Sequence, residues 1–180
     1  DNFIVKKEWV REFCEAYRRE CGLPFLCSLR VDLIDEDLIK LMVDAGLEFV
    51  NFALESSNPI VRKELLKRGK FSNEDVKNAL RLFEKYGVRS RMQNFIGLPM
   101  DNAYEDARST LNFNRTNRPT ESWCAIFQPY PKTRLADYAV EKGYCSDDFV
   151  KKHSAKGYHA RTLLNIPNKD KINRLQKWWF

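Results

Sequence analysis

Two hydrophobic periods alternate along the chain. At 7–20, 35–45, 59–68, 72–86, 101–116 and 133–142 apolar side chains recur at helical spacing, which predicts six helices. Near 24–29, 48–54, 88–96 and 121–127, short runs rich in β-branched and aromatic residues predict strands. Caps support the helices. Asn58-Pro59 supplies an N-cap and a first-turn proline ahead of Ile60, Val61, Leu65 and Leu66 on one side. Ser72 and Asp75 spell a capping box before Val76, Ala79, Leu80 and Phe83. Asp35 starts the helix of Leu38, Leu41, Met42 and Ala45, and Asp101 is placed to cap the one bearing Tyr104, Ala107 and Leu111.

Helices stop at Gly46, Gly87 and Gly143, and after the first two a strand begins at once. Glycine tolerates the left-handed conformation that ends a helix. Helix, glycine, strand is the rhythm of an α/β protein with a parallel sheet. An open doubly wound sheet and a (β/α) barrel both use it, and periodicity does not choose between them. Both gather chemistry at the carboxyl ends of the strands.

Those ends are polar where a core should be closing: Ser28 to Arg30, Glu55-Ser56-Ser57, Gln93 to Pro99, and Gln128 to Thr133. Glu55 can accept hydrogen bonds from ribose hydroxyls or an ammonium group. Ser56, Ser57 and the helix start behind them offer donors to an anion. Arg68 can hold a carboxylate through two parallel hydrogen bonds. Together they suit a zwitterionic ligand bearing a sugar. Plainer readings exist for each: Glu55 in a structural ion pair with Arg62 or Arg30, Ser56-Ser57-Asn58 as a simple cap with its lead-in, Gly97-Leu98-Pro99 as a turn.

Composition narrows the class. Of 180 residues, 43% are hydrophobic and 31% charged, ordinary for one globular domain. The net charge of +6 is uneven: residues 151–180 hold eight Lys/Arg against Asp170 alone, and the rest is nearly neutral. Such a tail is most often a solvated helix face. Cys14, Cys21, Cys27, Cys124 and Cys145 show no zinc spacing, and no secretory signal or membrane span is legible. An odd thiol count without a signal points to a reducing, cytoplasmic setting; Cys27 and Cys124 sit in apolar runs as small hydrophobes. The opening "DNFIV" reads as the tail of an earlier element, and "LQKWWF" leaves three aromatics with nothing to bury them. The chain therefore reads as a piece cut on both sides.

The order of the motifs carries more than any one of them. Arg30-Val31-Asp32-Leu33-Ile34-Asp35-Glu36-Asp37-Leu38 running to Ala45-Gly46, then Ala53-Leu54-Glu55-Ser56-Ser57-Asn58 with Leu66-Lys67-Arg68-Gly69, then Asn94-Phe95-Ile96-Gly97-Leu98-Pro99, then Pro129-Tyr130-Pro131-Lys132-Thr133 continuing to Ala139 resemble, in sequence, the motifs of radical S-adenosylmethionine enzymes. The resemblance is to the group that also carries a cobalamin-binding domain, and Asn165 to Asn168 with the terminal Lys/Trp-rich helix extends it. It implies an α/β fold: a partial (β/α)6 TIM-like barrel of parallel strands with its first βα unit missing, over 1–145, followed by a basic extension with a terminal helix over 146–180.

By position, the resemblance places S-adenosylmethionine across the strand ends. Glu55 and Ser56 fall on its ribose or amino-acid part, Arg68 on the methionyl carboxylate, Gln93 on the ribose and Phe95 beside adenine. Ser28 and Arg30 fall where the third barrel strand faces the ligand. It also implies a 4Fe-4S cluster whose C-x-x-x-C-x-x-C ligands belong upstream of Asp1, so metal ligands and catalytic side chains are not expected in this stretch, which by itself should be inactive. Cobalamin is a further expected cofactor of the complete protein. The expected partners are a small-molecule or peptide substrate and the N-terminal remainder with its cluster segment, not nucleic acid or membrane. Three departures from the family pattern stand out: Ser57 for Gly, Met100-Asp101 for Gly-Glu, and Lys132 for Gly.

Tyr130 and Cys124 lie near the last strand's end, where packing or capping is the commoner role. Two other classes are compatible with parts of the sequence. One is a phosphate-binding α/β barrel enzyme with Ser56-Ser57 on phosphate and a Schiff-base lysine, for which Lys132 is the nearest strand-end candidate. The other is a basic RNA-binding module, for which aromatics should interleave with the charges. The residues encoded just before Asp1 decide: a Cys triplet of the stated spacing within roughly one βα unit, some thirty residues, is expected there, and an upstream region without one would sink the iron–sulfur expectation.

Overall fold

The computed structural model describes residues 2–4, 6–148 and 161–179. In order, these form α1 (Lys7–Glu20), β1 (Phe25–Leu29), α2 (Glu36–Asp44), β2 (Leu47–Glu55), α3 (Asn73–Lys85), β3 (Arg89–Ile96), α4 (Ala103–Asn117), β4 (Glu121–Ile126), α5 (Arg134–Glu141) and α6 (Lys169–Leu175). The strands are hydrogen-bonded in the order β1-β2-β3-β4, with β1 parallel to β2. Neighbours in the sheet are neighbours in the sequence. A doubly wound sheet reverses its order at the switch point, whereas a barrel adds each strand beside the last, so these four strands follow the barrel order.

The helices form where caps and apolar spacing coincide. Asp35 accepts a hydrogen bond from the Leu38 amide at 2.8 Å, and Ser72 and Asp75 close both bonds of the capping box. Asp101 is not the cap of α4; its carboxylate accepts the Tyr144 hydroxyl at 3.0 Å instead. The predicted helix at 59–68 shrinks to a wide π-helical turn, Val61–Leu65. The Leu66 amide reaches back to the Val61 carbonyl, Lys67 takes a left-handed φ of 55°, and the Arg68 amide donates to the Arg62 carbonyl at 2.7 Å. Val61 is buried, but Ile60 is 69% exposed, so the predicted apolar side is incomplete. The chain turns back on itself early, and such turns concentrate at functional sites.

The chain divides into two compact units, one built from 1–54, 70–93 and 116–122, the other from 55–69, 94–115 and 123–180. In the first, Leu38, Ile39 and Met42 of α2 and Val76, Ala79 and Phe83 of α3 are buried, with the Phe52 and Phe83 rings 5.7 Å apart. Gly46 is required there: its φ is 110°, and a β-carbon would lie 2.8 Å from the Leu23 carbonyl oxygen. The second unit is built around Ile96, Leu98, Ala107, Cys124, Ile126, Ile172 and Trp179. Trp179 is buried in that core, which corrects the expectation that nothing buries it, whereas Trp178 is 78% exposed; Phe180 lies outside the described residues.

Lys132 adopts a left-handed φ of 63° at the position where the resembling family has glycine. A β-carbon in that region costs about 1–2 kcal/mol. Lys132→Gly should therefore raise stability by about 0.5–1 kcal/mol after glycine's extra unfolded-state freedom is counted. The urea midpoint at unchanged slope measures it, and a lowered midpoint would show that the turn is not strained.

Candidate cofactor-binding site

β2 ends on Glu55, which is buried yet takes a left-handed φ of 66°. For a residue with a β-carbon this is an outlier that surrounding contacts must hold in place. The contacts come from α4. Its inward face carries Asp106, Thr110 and Asn114, spaced four apart and therefore stacked along one side of the helix. The Ser56 hydroxyl, fully buried, donates to Asp106 Oδ1 at 2.6 Å and accepts the Asn58 amide at 3.0 Å. The Ser57 amide donates to Thr110 Oγ1 at 2.9 Å. Asn114 and Asn94 exchange amide hydrogen bonds of 3.0 and 3.1 Å. Arg62, also fully buried, donates from Nη1 to the Ser56 carbonyl at 2.6 Å.

On this turn Glu55 Oε1 meets Arg68 Nη1 at 2.9 Å. The carboxylate side chain is 7% exposed and the arginine side chain 56%. Burial raises the Glu55 pKa, and the Arg68 charge opposes that rise. The pair leaves most of the guanidinium's five N–H donors open toward solvent. Of the plainer partners, Arg62 donates to the Ser56 carbonyl, and Arg30 pairs with Asp32 at 2.7 Å. Asp106 is the other buried carboxylate. Burial pushes its pKa up to about 6, against the Ser56 hydrogen bond and the Arg62 charge, and burial in turn disfavours the charged form of Arg62.

The expected site residues divide between the units. Glu55, Ser56, Arg68 and Phe95 belong to the second, and Glu55 and Arg68 are brought into contact. Phe95 is half-buried against the second unit's core. Ser28, Arg30 and Gln93 belong to the first unit. There Ser28 is half-buried, its carbonyl accepting the Phe3 amide at 2.8 Å. Arg30 is exposed, and Gln93 lies on the partly exposed face of β3, which alternates with the buried Met92 and Asn94. Asn51, which the motif reading passes over, is paired in register with Ser28, and its buried Oδ1 has no hydrogen-bond partner.

Asp106 and Thr110 are not among the residues that the sequence motifs single out, and Arg62 enters there only as a possible partner of Glu55; the apolar spacing of α4 points to Tyr104, Ala107 and Leu111. Ala107 is buried, but Tyr104 and Leu111 are only half-buried, and polar residues occupy the rest of the inward face. The legible signal was the four-residue recurrence of short polar side chains opposite the serines at 56–57.

The cysteines do not suit iron. Cys14, Cys27 and Cys124 are buried, burial pushes the thiols of Cys14 and Cys27 up to about 11 and about 12, and Cys124 is raised further. Iron needs thiolates. Among the described residues, no three His, Cys, Asp or Glu side chains are grouped as a metal would require. Lys132, exposed on its turn, lacks the apolar surroundings that activate a Schiff-base lysine. Arg161, Arg174 and Lys177 of the basic tail line a half-open cleft of about 490 Å3 in the second unit, together with Asp170; Lys151, Lys152 and Lys156 lie outside the described residues. Among the described residues Trp178 alone offers an exposed ring beside these charges, fewer than base stacking along a strand uses. No helix among the described residues is long and apolar enough to cross a membrane.

The sheet order and the strand-end carboxylate–guanidinium pair define a barrel-type α/β protein with its polar groups at the strand ends. Residues 5–113 match the Radical SAM superfamily, and the chain belongs to that family. It is 26% identical over 141 residues, 78% of this chain, to an uncharacterized methyltransferase of Pyrococcus horikoshii. It is 31% identical over 101 residues, 55% of this chain, to the cytidylyl-2-hydroxyethylphosphonate methyltransferase of Streptomyces wedmorensis. The chain spans 30% and 18% of these two relatives. Among solved structures, coproporphyrinogen III oxidase of Escherichia coli, described as a radical SAM enzyme, aligns over 96% of this chain and 36% of its own, with TM-score 0.67 at 15% identity. The radical S-adenosylmethionine methyltransferase TsrM of Kitasatospora setae, with cobalamin and a [4Fe-4S] cluster bound, aligns over 67% of this chain and 24% of its own, with TM-score 0.55 at 19% identity. At these identities the likeness is one of fold. It bears out the expected partial TIM-like barrel.

The raised Asp106 pKa has a consequence for stability. An aspartate ionises near 3.9 when unfolded, so between that value and about 6 the folded state holds the proton more tightly. That contribution is present at low pH and is lost as pH rises through 6. From pH 5 to 7 the wild type should therefore lose about 1 kcal/mol more unfolding free energy than Asp106→Asn, whose side chain does not titrate. Urea denaturation of both proteins at the two pH values measures this, and parallel pH profiles would refute the buried, protonatable state.

Proposed function

We propose that this chain is the S-adenosylmethionine-holding part of a radical S-adenosylmethionine enzyme that modifies its substrate by a radical route, and that the complete protein is a cobalamin-dependent methyltransferase. The observation that carries the reading is the buried Glu55 carboxylate, held in a left-handed strand-end turn and joined to Arg68, within a chain matched to the family from 5 to 113. A carboxylate and a partly free guanidinium are the donor set that an amino acid carrying a ribose requires.

Arg68 would bind the methionyl carboxylate, exchanging part of its bond to Glu55 for a second anion. Glu55, with Ser56 beside it, would accept from the ribose hydroxyls or the α-ammonium, and Phe95 would flank adenine. Ser28, Arg30 and Gln93 enter on motif position. When bound, the cluster and S-adenosylmethionine supply one-electron reductive cleavage of the sulfonium. By the family resemblance, the iron ligands would lie on a segment N-terminal to this one. Both curated relatives are methyltransferases by name, and TsrM was solved with cobalamin; these support methylation, with a small molecule or a peptide as substrate.

Removing the guanidinium tests the reading without turnover. In the complete protein, Arg68→Ala should weaken S-adenosylmethionine binding by about 1.5–3 kcal/mol, the worth of a charged hydrogen bond, or roughly ten- to a hundredfold in Kd. Equilibrium dialysis is sufficient. Unchanged affinity would remove Arg68 from the ligand's carboxylate.

A further inference from the structure

We propose that Asp106 is a positioning residue for the ligand's amino-acid end: through Ser56 it fixes the strand-end turn on which Glu55 and Arg68 face each other. The inference rests on the S-adenosylmethionine reading given above, and it assigns a role to a carboxylate that this reading leaves unused.

Three observations carry it. Asp106 sits on α4, one helix away in sequence, yet its Oδ1 takes the Ser56 hydroxyl at 2.6 Å, the short distance of a charge-assisted bond. Ser56 directly follows the residue with the left-handed backbone and is fully buried. Its hydroxyl, already shared between Asp106 and the Asn58 amide, is committed inside the fold. The same residue is also held by Arg62, whose Nη1 donates to the Ser56 carbonyl at 2.6 Å and whose charge acts on Asp106. Side chain and carbonyl of one residue are thus held by opposite charges.

This geometry has a directional consequence. Three bonds to Ser56 leave its neighbour Glu55 little freedom to rotate, and the Glu55 carboxylate is what orients Arg68. The π-helical turn that carries Arg62 also brings back Arg68, through the bond from the Arg68 amide to the Arg62 carbonyl at 2.7 Å. Asp106 is therefore linked to both halves of the Glu55–Arg68 pair, one through Ser56 and the other through Arg62. A ligand presenting a carboxylate and an ammonium would feel a loosened pair, whereas a nucleoside lacking both groups would not.

That contrast supplies a readout that a general loss of stability does not move. In the complete protein, S-adenosylmethionine and 5′-methylthioadenosine are compared as probes by equilibrium dialysis; the second keeps the nucleoside and lacks the amino-acid carboxylate and ammonium. Asp106→Asn, which preserves volume but removes the charge, should weaken S-adenosylmethionine about tenfold and leave 5′-methylthioadenosine within twofold. Ser56→Ala, which removes one hydroxyl and serves if the first variant folds poorly, should show the same selective loss. Equal weakening of both probes, or no change in either, overturns the positioning role. Arg68→Ala is the control. If it shows the selective loss and neither other variant does, the binding reading stands and the inference about Asp106 fails. If even the wild type does not prefer S-adenosylmethionine over 5′-methylthioadenosine, the binding reading itself is what fails.

Discussion

A left-handed backbone at Glu55 is the constraint on which the second unit is organised. A strand ordinarily leaves a sheet through glycine or a loose turn, but here a carboxylate-bearing residue occupies the forbidden side of φ at 66°. That conformation costs about 1–2 kcal/mol for a residue with a β-carbon, and it persists only where neighbouring contacts over-determine it. Asp106, Thr110 and Arg62 are those contacts. They explain why the buried face of α4 carries a polar stripe where an apolar one would pack more cheaply.

Buried charges are a poor way to gain stability, because desolvation consumes most of the Coulomb attraction. What they offer is discrimination among conformations. An apolar α4 would pack against many strand-end geometries, whereas Asp106 and Arg62 are satisfied by only the one that presents the Ser56 hydroxyl to the first and the Ser56 carbonyl to the second. Asn114 and Asn94 repeat the device one turn further along, each amide donating to the other. A mispaired register would strand several buried polar groups at about 1–3 kcal/mol each. The stripe thus fixes the register of α4 against the strand ends, and through it the direction in which Glu55 and Arg68 point.

Most of the elements were legible because each is announced locally. A capping box at Ser72, helix-ending glycines and a change of hydrophobic period place the strands and α1 to α5 within two residues of their observed bounds, while α6 is legible only as a terminal helix without bounds. The turn at 61–65 was not legible, because its apolar spacing is compatible with a regular helix and the reversal at Lys67 arises from long-range bonding. The inward face of α4 escaped for a different reason. A search for apolar periodicity passes over Asp106, Thr110 and Asn114, whose burial depends on partners some 20 to 50 positions away, such as Asn94, Ser56 and Ser57. In the motifs Glu55 and Arg68 were legible as candidates, but their pairing was not, since Arg62 and Arg30 offered equal charge at equal plausibility.

The departures from the family pattern show how such a turn tolerates change. Ser57, standing for glycine, brings its hydroxyl to Thr110 Oγ1 at 3.4 Å beside the backbone bond already made there. Asp101, standing for glutamate, gains the Tyr144 hydroxyl, and Met100 packs against the second unit's core. Only Lys132 takes a backbone conformation that glycine would adopt freely, and it does so on an exposed turn. Ser57, Met100 and Asp101 are absorbed by contacts inside the second unit, Lys132 bears its strain on the surface, and none interrupts the path from Asp106 through Ser56 to Glu55. Variation at these three positions therefore changes contacts around the turn while the carboxylate–guanidinium pair of Glu55 and Arg68 depends on none of them, so the pair's geometry and its surroundings are set by different residues.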